Sequence, residues 1–277
     1  MNTKFKLVAL LFVTAVFIST GLNAQYIKGS GNIISETRSV DSFTSIHSKG
    51  SADVIITQGS TQSVVVESDE NLMPHIRTDV RDGQLNIEIK KNYKNIDVLK
   101  VHITVADLES IEISGSGDIV LTNTFKTNDL SVYIKGSGDF KGDLDVKKFD
   151  YKVSGSGDGV FSGVRGDLKI SVSGSGDVKA SNLRLANCAV KISGSGDMNL
   201  SGSVDDLVVS VAGSGDIDAY GMKAVSVKAK VAGSGEISVT AIDRIVAEIA
   251  GSGDIYYKGN PQNVVVSSSG SGDLIKR

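Results

Sequence analysis

The chain has no tryptophan, two prolines, one cysteine and three histidines in 277 residues, and aromatic residues make up only 5% of it. With one cysteine, Cys188, no disulfide can form inside the chain, so stability must come from packing. Few aromatics and no tryptophan leave little from which to build stacking platforms for sugar rings. The formal charge is −3, and losing Lys4 and Lys6 with the first residues takes it to −5, which gives no basic surface for nucleic acid. The apolar run Leu7 to Ile18 is twelve residues long. That is short of the ~20 needed to cross a bilayer as a helix. With Lys4 and Lys6 before it and the small, polar Ser19 to Ala24 after it, residues 1–24 read as a secretory signal peptide cut before Gln25. No cysteine lies near the cut to take a lipid, and no later segment is apolar enough to span a membrane.

What the chain has in excess is glycine, 31 residues of it, much of it in one phrase. Gly-Ser-Gly-Asp begins at residues 115, 136, 155, 174, 194, 213, 233, 251 and 270, with Glu236 replacing the acid once. Looser copies stand at Gly29 to Asn32 and Gly50 to Asp53. A fixed period of about twenty residues marks a stacked repeat, in which each unit buries its apolar face against its neighbours. Within a unit apolar and polar residues alternate, the strand period of two. Leu168, Ile170 and Val172 share a face with Val178 and Ala180, and Cys188 falls where Leu168 stands one repeat earlier, which makes it a buried, inert thiol. Equivalent strands one period apart stack in parallel at ~4.8 Å, so nine phrases make a column of roughly 40 Å. The chain is therefore expected to be all-β, a parallel β-helix with coils of about twenty residues cornered at Gly-Ser-Gly-Asp.

The second turn of each coil varies: Thr122 to Asn128, Ser162 to Asp167, Ser181-Asn182, Ser201 to Ser203, Tyr220-Gly221. Variable turns gathered on one edge are where binding is often tuned. Residues 25–110 read as a modified N-terminal region or cap, and 111–277 as regular repeats. Strands are expected at Val64 to Glu67 and Val101 to Val105, a hairpin around Asp82-Gly83, and a short helical turn within Asp69 to Ile76. The 65 residues between Gly50 and Gly115 are close to three periods and suit three modified coils. The C-terminal end carries no such cover, which favours end-to-end pairing of two copies.

The stretch Val40 to Ile46, then Gly50 to Ile56, then Val64 to Leu72 through Asp82 to Leu85, followed by the Gly-Ser-Gly-Asp series, resembles the putative auto-transporter adhesin head GIN domain family. That resemblance spans residues 35–275. It implies a right-handed β-helix exported to the cell envelope of Bacteroidetes, and it brings no catalytic residues. A looser similarity is to the β-solenoid domains of envelope-stress proteins.

The acidic column of Asp118, Asp139, Asp158, Asp177, Asp197, Asp216, Glu236, Asp254 and Asp273 is the sharpest chemical feature. Charges ~4.8 Å apart repel by roughly 0.9 kcal/mol per pair even in water, so something must offset them. Turn amides or serine hydroxyls can do so, and calcium is the weaker candidate. The chain departs from calcium-binding β-rolls, with one phrase per twenty residues rather than per nine. The motif serines are nine equivalent copies with no histidine in any repeat, so they are not nucleophiles. His47, His75 and His102 lie in three separate segments without metal-ligand spacing, and Lys90, Lys91 and Lys94 with Tyr93 form a solvated basic patch. The expected function is non-enzymatic adhesion, binding or scaffolding at the cell envelope through the Ser/Asp face and the variable turns, toward a glycan or protein. The alternatives are a periplasmic stress or sensor module and a carbohydrate-active β-helix enzyme.

Overall fold

The computed structural model describes residues 26–277; the signal-peptide assignment falls outside them. The first strands are β1 (Ile27–Lys28), β2 (Ile33–Arg38), β3 (Ser45–Gly50), β4 (Asp53–Gln58), β5 (Ser63–Asp69), β6 (Ile76–Arg81), β7 (Gln84–Ile89), β8 (Tyr93–Lys94) and β9 (Leu99–Val105). The stack continues with β10 (Ser110–Gly115), β11 (Ile119–Leu121), β12 (Phe125–Gly136), β13 (Phe140–Gly155), β14 (Gly159–Gly174) and β15 (Val178–Gly194). It ends with β16 (Met198–Gly213), β17 (Ile217–Gly233), β18 (Ile237–Gly251), β19 (Ile255–Lys258), β20 (Asn263–Ser268) and β21 (Leu274–Lys276).

From β10 onward each coil pairs in parallel with the next, with the first glycines in register from Gly115↔Gly136 to Gly233↔Gly251. The chain is a parallel β-helix of about nine turns. The alternation read from the sequence is the inside of the column: Leu168, Ile170, Val172, Val178 and Ala180 are all buried, and Leu168 pairs with Cys188 as the repeat requires. Burial pushes the Cys188 thiol up to about 12, so it stays protonated and unreactive. Phe140, Phe149, Tyr151 and Phe161 form one aromatic cluster, with ring centroids 4.9–6.2 Å apart. Tyr151 fits because Gly159 stands where other coils carry a side chain; a Cβ there would lie 2.6 Å from the Tyr151 hydroxyl.

Two expectations are corrected. The second turns are mostly not loops. The strands run through them, and the ladder slips at Asp143/Val146, Gly166/Asp167, Ala180/Leu183 and Asn199/Ser201. Bulges bend the strand while keeping most of its pairing, and Asn182 at φ 54° and Gly163 at φ 86° absorb the bend. Only Thr122 to Thr124 stand outside the strands among the turns before Gly259.

Nor are residues 51–114 three coils. Gly50 stacks directly under Gly115, and Val54 under Ile119, although 65 residues separate each pair. The intervening chain leaves the column and returns beneath it. There β7 pairs in parallel with β3 and β9 with β4, while β6, β5 and β2 close the end in antiparallel fashion. The predicted strands and the Asp82-Gly83 hairpin lie in this cap, with Met73–His75 as a 3-10 turn. Its organiser, unremarked in the sequence, is Asp69. It is fully buried, accepts from Gly31 N–H at 2.7 Å through Oδ1 and from Asp97 N–H at 3.2 Å through Oδ2. The loose copy Gly29 to Asn32 is thus a strap onto Asp69 rather than a corner of the column.

Candidate functional site

The Gly-Ser-Gly-Asp corner is where the column breaks its pleat, and every residue of the phrase has a task there. The first glycine sits at φ between 133° and 149° from Gly115 to Gly251. Its missing side chain would point along the stack, not into the core: a Cβ on Gly174 would lie 1.9 Å from Gly155 O. The second glycine is equally tight, with 2.1 Å from a Cβ on Gly176 to Gly157 O. Coils therefore approach backbone to backbone, as only glycine permits.

The serine N–H donates to the first glycine carbonyl of the preceding coil, as from Ser175 to Gly155 O at 3.0 Å. The aspartate N–H donates to the Oδ1 of the preceding aspartate. These rungs run from Asp118 N–H on Asp53 at 3.1 Å through Asp139, Asp158, Asp177, Asp197 and Asp216 at 2.8–2.9 Å. Glu236 N–H reaches Asp216 at 2.7 Å and Asp273 N–H reaches Asp254 at 2.8 Å. No rung joins Glu236 to Asp254, since the extra methylene carries the glutamate carboxylate out of line. The carboxylates of Asp118 through Asp216 and of Asp254 each accept a corner amide, and they replace the main-chain acceptor that the corner lacks. Seven of the nine calcium candidates, all but Glu236 and Asp273, thus have a structural task in the stack. Among the described residues no three carboxylate, histidine or cysteine side chains converge as metal ligands.

What remains for a ligand is the outer side of the corner. All nine motif serines are exposed. None of their hydroxyls is among the side-chain hydrogen bonds of the described residues, which for the corner are the aspartate rungs. The second carboxylate oxygens of Asp118 through Asp216 are equally unused. Beside this column a groove of about 390 Å³ runs past Val160, Lys179 and Asn199. The larger groove, about 690 Å³, lies on the variable edge between Lys126, Thr127, Asn128, Lys147 and Arg165, with Asp145 3.5 Å from Arg165.

Stacking across the 65-residue excursion also builds a cluster that the sequence hides. His47 Nε2 lies 3.2 Å from Ser114 Oγ and 3.8 Å from Glu112 Oε1, and Lys135 donates to Glu112 at 2.6 Å. Serine and glutamate approach the same ring nitrogen. His47 therefore cannot take a proton from one while being oriented by the other, which a nucleophile–base–carboxylate relay requires. His102 meets Glu67 at 3.0 Å on another strand, and His75 stands apart in the cap. Burial holds the His47 imidazole below its usual 6.5 against the pull of Glu112, with Lys49 and Lys135 adding to the lowering. The hydrogen bond from Lys135 holds Glu112 below 4.5. A group with a lowered folded pKa contributes stability above its unfolded pKa and loses it as pH falls through the folded one. The melting temperature is thus expected to fall as pH drops from 7.5 to 5.5, and less so in His47→Gln. Parallel profiles for the two proteins would refute the assignment.

The family described as putative auto-transporter adhesin, head GIN domain matches residues 42–200 and again 189–261. No curated protein matches the chain in sequence. Among solved structures, a putative adhesin of Parabacteroides distasonis covers 91% of this chain and 100% of its own, at 24% identity and TM-score 0.72. A putative adhesin of Parabacteroides merdae covers 92% and 100%, at 25% identity and TM-score 0.71. A putative lipid binding protein of Parabacteroides distasonis covers 91% and 100%, at 27% identity and TM-score 0.67. With the fold, the stacked corner and a match over most of its length, this chain belongs to the putative auto-transporter adhesin, head GIN domain family.

Proposed function

We propose that this chain is a non-enzymatic binding protein of the cell envelope, exported and adhering through the outer side of its corner column. The observation that carries this reading is the row of nine exposed serines, with hydroxyls free of the fold's hydrogen bonds and one carboxylate oxygen spare beside most of them. The repeat places these groups ~4.8 Å apart along a rigid axis. An extended, hydroxyl-rich glycan strand or a protein segment can meet many such contacts at once. Individually weak contacts then sum to avidity. The groove at Lys126, Lys147 and Arg165 offers a second, charged contact on the variable edge. Family membership supports the envelope setting.

A lipid ligand is the second reading. It is favoured by the groove along Val160, Val178 and Met198 and by the structural relative described as a putative lipid binding protein. Binding to a glycan array, to envelope extracts and to lipid vesicles separates the readings. Replacing Ser156, Ser175 and Ser195 together by alanine is expected to leave the fold intact. It should weaken glycan or protein binding by about tenfold, far beyond any single change. Unchanged binding in the triple variant would sink the corner-column reading, and binding to vesicles alone would favour the second.

A further inference from the structure

Of the seven tyrosines, Tyr133 alone has no partner that explains it among the described residues. The others lie beneath a lysine (Tyr26, Tyr220), bond through their hydroxyls (Tyr93, Tyr151, Tyr256) or pack on the core (Tyr257). Tyr133 stands on the outer face of β12, half-buried between the inward Val132 and Ile134. The parallel register sets Glu112 beside it on one neighbouring coil and Lys152 beside it on the other. Two residues along, Lys135 pairs with Ser154 in the same register. These side chains enclose a pocket of about 330 Å³ on the flat side of the column, away from the corner serines and from the variable edge. Small-molecule sites begin at about that size.

The charges of the pocket do not cancel. Glu112 is held by Lys135 at 2.6 Å. Lys152 is exposed and meets no carboxylate within ion-pair distance among the described residues. Lys49, in register with Ser114, adds a second cation on the coil below. An aromatic ring with a polar rim and a spare ammonium suits one kind of small group. The C–H face of a pyranose packs on the ring, and its hydroxyls meet the rim. A carboxylate on the same sugar meets the ammonium in a charge-assisted hydrogen bond. We infer that this pocket binds one hexuronic acid residue of an acidic glycan, with the ring on Tyr133 and the carboxylate on Lys152. Glu112, fixed by Lys135, and Ser154 then receive the sugar hydroxyls. The inference rests on the glycan reading above, but it names a different face of the column and an acidic class of sugar.

The test is calorimetric titration of the protein with hexamers of galacturonate, mannuronate and glucuronate, each beside its neutral hexose counterpart. At least one uronate is expected to bind about tenfold more tightly than its counterpart, one charge-assisted hydrogen bond being worth that much. Lys152→Gln should erase the preference while leaving the neutral sugar unchanged. Tyr133→Thr keeps a good strand former at an outward position, so melting should be unchanged. It should weaken acidic and neutral sugars alike, by about tenfold. The Ser156, Ser175 and Ser195 triple alanine variant should bind the uronate as before. No binding by any of the three uronates, a preference that survives Lys152→Gln, or full binding by a folded Tyr133→Thr would each overturn the inference. The two glycan sites separate cleanly. Loss in the triple variant but not in Tyr133→Thr would leave the corner reading standing and remove this one, and the reverse result would do the opposite.

Discussion

Gly174→Ala is expected to cost about 3–5 kcal/mol, the upper end of single-residue effects, and to prevent the middle coils from stacking. The new Cβ would fall 1.9 Å from Gly155 O, a backbone atom with no flexible end to move aside, and φ is 135°. The neighbouring coils lock Gly155 and Gly194 into the same column, so relaxation at one coil strains the next. The control is Gly31→Ala at φ 75°, where a Cβ would meet nothing within 4 Å. It carries only the left-handed backbone penalty of about 1–2 kcal/mol. Urea unfolding of both variants checks this. Equal losses would mean that backbone conformation alone, and not the axial approach of the coils, makes glycine necessary.

The rungs come next in size. Asp177→Ala removes the acceptor of Asp197 N–H, bonded at 2.8 Å, and is expected to cost about 1.5–3 kcal/mol, as for hydrogen bonds to charged groups. Asp177→Asn keeps an oxygen at the same place and sheds one of a row of like charges, so its loss should stay within about 1 kcal/mol. The natural gap in the ladder provides the converse: Glu236→Asp shortens the side chain enough to reach Asp254 N–H. It should stabilise the protein by about 1 kcal/mol. Thermal and urea unfolding of the three variants decide the matter. Equal losses for alanine and asparagine, with no gain at Glu236, would show that the carboxylates serve solvent or ligands and not the stack.

These results bear on how far chemistry can be read from a repeat. The acidic column invited a cation because like charges recur along it. Its neutralising partner is an amide 19 to 21 residues away in sequence and directly above in space. The serines stand as the exposed ladder that their spacing implies. The His47, Ser114 and Glu112 contact could have been found only by knowing that Gly50 stacks on Gly115 across the excursion.

By itself the sequence determined the coil. Period-two alternation names the inward residues, the phrase at fixed spacing names the corner, and equal spacing makes equivalent strands stack in parallel. It placed Cys188 inside with Leu168, Ile170 and Val172, because burial in a strand follows from parity alone. Tertiary structure decided what parity cannot express. The glycine side-chain vectors point along the axis, where only the neighbouring coil defines the space. The variable turns stay in the ladder because bulges can absorb their irregularity. The 65 residues before Gly115 cap the column and do not extend it, because antiparallel strands held by the buried Asp69 close its end, and a length near three periods cannot distinguish the two arrangements.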